Sequence, residues 1–97
     1  MEALTRQIAL VVGRNEPQLQ RCYRQVAKAS GPVQGRIVIG FKLQPEGQAT
    51  GVTVEDNTTG AERLGQCVAA LFVAMPLPAH EAAEAIEYRW PVVFKTP

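Results

Sequence analysis

The side chains that could do chemistry in this sequence are two cysteines and a single histidine. Cys22 and Cys67 fit either a disulfide in an oxidising compartment or two buried thiols in the cytosol. A structural zinc site takes four ligands, and His80 is the one other soft ligand, so no metal is expected. We interpret His80 as an exposed loop histidine without a nucleophile beside it. The sequence therefore predicts no catalytic residues, no cofactor and no enzyme.

The charged residues and the glycines predict no ligand site either. Glu55 and Asp56 are adjacent at a predicted strand end, but no further carboxylates follow at the spacing of a calcium loop. The glycines are scattered and form no phosphate-binding loop between a strand and a helix. Ten Lys and Arg residues against nine Asp and Glu leave a formal charge of +1, with no basic run. Nucleic acid is therefore not an expected partner.

The sequence pattern predicts two helices at the beginning of the chain. Apolar residues recur at helical spacing from Leu4 to Val12, and the pattern breaks at residues 13–15. Asn15 is predicted to cap a second helix that tolerates Pro17 in its first turn and ends at Gly31. Its apolar face comprises Leu19, Cys22, Tyr23 and Val26.

The period then changes to two, which is typical of strands. Residues 36–43 and 48–55 predict a hairpin around a turn at residues 44–47, and the first strand buries Ile37, Ile39, Phe41 and Leu43. Thr59 and Glu62 match a capping box for a third helix, which Pro76 must end. Residues 86–94 form a last alternating strand. The sequence thus predicts an α+β fold in which helices cover one face of a three-stranded antiparallel sheet of order 2-1-3.

The length of 97 residues allows one modest core, so we expect residues 1–97 to form a single domain. Cys22 and Cys67 both lie on apolar helix stripes, so they could meet if these helices pack side by side. A disulfide is favoured over two buried thiols. Its loop of about 45 residues would contribute about 4 kcal/mol to stability.

Pro91 lies inside the otherwise regular last strand. Because proline cannot donate to a ladder, its strand is predicted to be an edge strand with Pro91 facing outward. The amides and carbonyls of Glu87, Arg89 and Val93 would then face outward as well. Such a row could accept another strand, or Pro91 and the charges could simply protect the edge from aggregation. The residues alone leave both interpretations open.

A succession of short motifs along nearly the whole chain resembles the AgmX/PglI C-terminal domain family, a TonB-like group known chiefly from myxobacteria. The motifs are Cys22-Tyr23, Gly35-Arg36-Ile37-Val38, Pro45-Glu46-Gly47, Cys67, Met75-Pro76-Leu77-Pro78 and Trp90-Pro91-Val92-Val93-Phe94. The resemblance implies a TonB C-terminal-like fold and a disulfide between Cys22 and Cys67. It also implies partner contacts on the last strand, for which we expect Glu87, Arg89, Trp90, Pro91 and Val93.

The resemblance further implies a periplasmic domain excised from a longer, inner-membrane-anchored protein, with membrane contact only through that anchor. We expect it to bind an extended segment of an outer-membrane or periplasmic protein and to couple inner-membrane energy or a motor to that partner, as in gliding motility. The isolated domain is expected to be monomeric. One alternative is a structural self-association module of an envelope complex, and another is a small ligand-binding domain.

Overall fold

A computed structural model of the chain describes residues 2–95, which form three helices and one three-stranded sheet. The elements are α1 (Glu2–Arg14), α2 (Glu16–Ser30), β1 (Gly35–Leu43), β2 (Ala49–Asn57), α3 (Glu62–Ala74) and β3 (Ile86–Phe94). Both neighbours of the central strand β1 run antiparallel to it, in the order β2-β1-β3. The predicted α+β class and strand order are confirmed.

The core lies between one face of the sheet and the helices. Ile37, Ile39 and Leu43 of β1 are fully buried, because strand alternation points them all to the same side. Helix α3 packs on this side against β2 and β1, and α2 packs against α3. The other side, here called the open face, is formed by the alternate residues of the strands: Arg36, Val38, Gly40 and Lys42 of β1, and Glu87, Arg89, Pro91 and Val93 of β3.

The prediction that Asn15 caps α2 through its side chain is wrong. Asn15 does occupy the N-cap position of α2, and Pro17 lies in the first turn as expected, but no side-chain capping bond forms. Its side-chain amide instead donates to the carbonyl of Val11 at 2.8 Å. The side-chain amide of Asn15 therefore bonds to a carbonyl in the last turn of α1, which the Asn15 backbone N–H also reaches at 3.2 Å.

The capping box predicted at Thr59 does not form. Helix α3 begins at Glu62, with Ala61 in the N-cap position and no side-chain capping bond. The Thr59 hydroxyl lies 2.6 Å from the Asn57 side-chain oxygen, to which it donates, and it accepts the Ala61 N–H at 3.2 Å. Asn57 in turn donates to the carbonyl of Ala61 at 3.0 Å. Thr59 and Asn57 thus build a compact turn that delays the helix by two residues.

His80 lies in a loop, as predicted, but it is half-buried rather than exposed, because it joins the segment between α3 and β3 to the end of the hairpin. Its backbone N–H donates to the Pro45 carbonyl at 2.9 Å, and the half-buried ring lies with Nε2 2.9 Å from the Leu43 carbonyl. The Ala82 N–H donates to Nδ1 at 3.2 Å. Since Nδ1 accepts, the proton belongs on Nε2, which donates to Leu43. The histidine therefore anchors the segment that leads into β3.

Candidate strand-pairing edge

Strand β3 is an edge strand that pairs with β1 over its full length. The register runs without a shift from Gly35 opposite Phe94 to Leu43 opposite Ile86. Among the elements of residues 2–95, β1 is the one strand that β3 hydrogen-bonds. The backbone groups that β3 turns away from β1 therefore have no strand partner within that range.

The direction of each backbone group in β3 follows from the hydrogen bonds of β1. The Arg36 carbonyl accepts the Thr58 N–H at 2.9 Å, and the Arg36 N–H donates to the Thr58 hydroxyl at 2.8 Å. Because Thr58 follows β2 directly, Arg36 directs its backbone groups toward β2. Alternation then directs Ile37 toward β3, where it faces Val92. The same alternation continues along the uninterrupted register of the two strands.

Every second residue of β3 thus directs its backbone groups away from the sheet, and these residues alternate with the ones that hydrogen-bond to β1. Glu87, Arg89 and Val93 each direct an N–H and a carbonyl outward, and Pro91 directs its carbonyl outward. Pro91 therefore costs the sheet no internal hydrogen bond, which explains how proline fits inside a regular strand.

The five side chains predicted to contact a partner lie on two different faces. Glu87, Arg89, Pro91 and Val93 lie exposed on the open face, and Val93 is 59% exposed. Trp90 points to the helix-covered face, since it is directly opposite the buried Ile39. It is half-buried there, as are the other inward residues at this end of β3, Ile86 and Tyr88. The structure therefore brings four of the five together and separates Trp90 from them.

The opposite edge of the sheet, formed by β2, is irregular. Its register with β1 shifts twice, so β2 carries an extra residue near Glu55 and another near Gly51. Gly51 has a φ of 58°, a left-handed conformation that favours glycine. Bulges of this kind twist an edge and discourage pairing with another strand. Of the two edges, β3 is consequently the one with a regular row of backbone groups.

The bulge near Glu55 directs its side chain across the sheet. Its carboxylate lies over Gly40 in β1 and reaches Arg89 in β3, with Oε1 3.1 Å from Nε. A Cβ atom at position 40 would collide with this carboxylate, so a side chain there would displace it. Glu55 and Asp56 both lie within β2, and each forms an ion pair although both residues remain exposed. The sequence signal for this close approach was Gly40, a glycine inside a strand.

The structure also brings the sulfur atoms of Cys22 and Cys67 to disulfide distance, with Cα atoms 5.9 Å apart. Cys22 is buried in α2, and Cys67 is half-buried in α3. The Cα separation lies within the range that disulfides require. The expectation that these two helices pack side by side with their cysteines facing each other is confirmed.

Within residues 2–95, no group of three or more His, Cys, Asp or Glu side chains is arranged to hold a metal ion. The described helices include none that is long and apolar enough to cross a bilayer. No protein-family model, curated protein or solved structure matches the chain.

Proposed function

We propose that this chain is a non-enzymatic interaction domain that takes up an extended segment of a partner protein as an added strand along β3. The observation that carries the proposal is the outward row of backbone groups on a regular edge, while the other edge is bulged. In strand addition, main-chain hydrogen bonds supply affinity and the flanking side chains supply specificity. Glu87, Arg89 and Val93 supply both kinds of contact here.

The proposal extends to the cell envelope. We propose a periplasmic domain of a TonB-like, inner-membrane-anchored protein that couples energy or a motor to an outer-membrane or periplasmic partner, with gliding motility as one such role. The support is the resemblance of its motifs to the AgmX/PglI C-terminal domain family. The facing cysteines agree with it, since disulfides persist in oxidising compartments such as the periplasm.

The alternative that the edge mediates self-association is less favourable because of Pro91. If two β3 strands paired over their full length, each copy would contribute a Pro91 that lacks an N–H to donate. An added segment without proline would face one missing N–H donor, whereas two paired copies of β3 would lack two donors. Unmade hydrogen bonds at an interface weaken association.

We therefore expect the isolated domain to be monomeric at micromolar concentrations. The physical reason is that Pro91 and the charged side chains of Glu87 and Arg89 disfavour pairing of β3 with the β3 of a second copy. Light scattering across a dilution series measures the mass directly. A stable dimer would contradict the expectation and favour the self-association alternative.

A synthetic segment tests the proposed function. The probe, here called the lysine probe, alternates threonine and valine around a central lysine. It is long enough to reach Val93 when the lysine lies opposite Glu87, whether the probe runs parallel or antiparallel to β3. Titration followed by amide nuclear magnetic resonance should change the signals of β3 and its neighbour β1 most strongly. No change at β3 up to millimolar probe would contradict the proposal. Changes centred on the exposed side of α2, at Arg21, Arg24 and Lys28, would assign docking to that helix instead.

A further inference from the structure

We infer that Glu87 makes the β3 edge selective for a partner segment with a lysine or arginine directly opposite it. The inference rests on the proposed strand addition and specifies the partner's chemistry. In that arrangement Arg89 contributes little charge selectivity, because Glu55 already compensates its charge.

Glu87 occupies the position from which a charge can act on an added strand. Its backbone groups face outward, and its exposed side chain projects from the open face. A strand paired with this row would set one residue directly opposite Glu87, with Cβ atoms about 5 Å apart. At that distance, opposite charges on facing strands attract and like charges repel measurably.

Within residues 2–95, the Glu87 carboxylate forms no ion pair. The ion pairs of residues 2–95 join Arg36 to Asp56 and Arg89 to Glu55. Lys42 lies directly opposite Glu87 in β1 and offsets part of its charge, but the two side chains form no ion pair in that part of the chain. Lys42 lies in the central strand, whereas Glu87 lies in the edge strand, so a strand added to β3 would be closer to Glu87 than to Lys42.

Arg89 offers a weaker attraction of the opposite sign. Its side chain is 78% exposed, but its Nε is bound at 3.1 Å by the Glu55 carboxylate. An acidic residue opposite Arg89 would therefore approach an ion pair whose two charges largely cancel. The residual charge on the outer flank of β3 is thus the negative charge of Glu87.

The other face of the added strand has a different requirement. Ile86, Tyr88 and Trp90 project toward the helix-covered face and remain half-buried, so part of each residue is still accessible to solvent. Apolar residues at alternate positions of the partner would bury these surfaces. The partner segment that fits is therefore an alternating strand with apolar residues on one face and a basic residue opposite Glu87.

The test compares three probes that differ at the central residue, which is lysine, glutamine or glutamate. For the wild-type chain, affinity should fall by about two- to fivefold at each step from lysine to glutamine to glutamate, as facing charged pairs on strands do. Glu87→Lys should reverse this order, and Glu87→Gln should abolish it. Glu62→Lys makes the same charge change on α3, which packs against β2, and should preserve the wild-type order. The differences should shrink as salt is raised.

Each outcome has a distinct meaning. Equal binding of the three probes at β3 would overturn the inference and leave strand addition standing. A wild-type order that survives Glu87→Lys would also overturn it, because another group would then be the selector. No binding of any probe would overturn strand addition itself and the inference with it.

Discussion

Replacing Val93 with proline is expected to weaken binding of the lysine probe by about tenfold or more while the domain remains folded. Val93 directs its N–H outward, so the substitution removes a donor for an added strand and leaves the ladder to β1 intact. One lost hydrogen bond costs about 0.5–1.5 kcal/mol, and the proline ring adds a steric conflict with the incoming strand. A total of about 1.4 kcal/mol corresponds to tenfold in affinity.

Two further substitutions separate the backbone effect from other effects. Val93→Thr changes the same side chain but keeps the N–H, so it should bind within about twofold of wild type. Val92→Pro places proline in the inward row opposite Ile37 and should destabilise the fold, since a ladder bond is lost. Calorimetric titration gives the affinities, and circular dichroism shows which variants are folded. A folded Val93→Pro variant with unchanged affinity would contradict docking along β3.

Reduction of the bond between Cys22 and Cys67 is expected to lower the free energy of unfolding by about 4 kcal/mol. The two residues are separated by 45 positions, and closing a loop of that length restricts the unfolded chain strongly. Chemical denaturation with and without a reducing agent measures the difference. The double variant Cys22→Ala/Cys67→Ala is the matched control, because its stability should not respond to the reducing agent.

Mass spectrometry of the unreduced protein, isolated from the cells that produce it natively, determines whether the bond forms in the cell. We expect a mass two hydrogens below that of the reduced chain, since the facing sulfur atoms are at disulfide distance. Two free thiols in the isolated protein would contradict the disulfide and weaken the proposed periplasmic location. Equal stability with and without reducing agent would show that the bond adds nothing to the fold.

The sequence was sufficient to predict the strands and the order of the sheet. Alternation in β1 is unambiguous, since Ile37, Ile39 and Leu43 must share a face, and these residues are fully buried. The last strand was equally legible, and Pro91 correctly indicated that it lies at an edge. These features follow from local periodicity and from the chemistry of single residue types.

Other features depend on contacts that no local pattern encodes. The capping roles predicted for Asn15 and Thr59 failed because each side chain found another backbone or side-chain partner nearby. The bulge that directs Glu55 over Gly40 to Arg89 requires the register of three strands at once. His80 bonds to a carbonyl 37 positions away, which a sequence pattern cannot reveal. The distribution of charge along β3, with Arg89 paired to Glu55, could therefore be determined only from the folded chain.

Amide hydrogen exchange of the domain, alone and saturated with the lysine probe, tests the central claim most directly. In the free domain, the outward amides of Glu87, Arg89 and Val93 should exchange rapidly, while those that pair with β1 are protected. Binding should slow exchange in the outward row and leave the inward amides nearly unchanged. Such alternating protection along β3 is the result that strand addition predicts. Outward amides that still exchange rapidly in the saturated complex would contradict it.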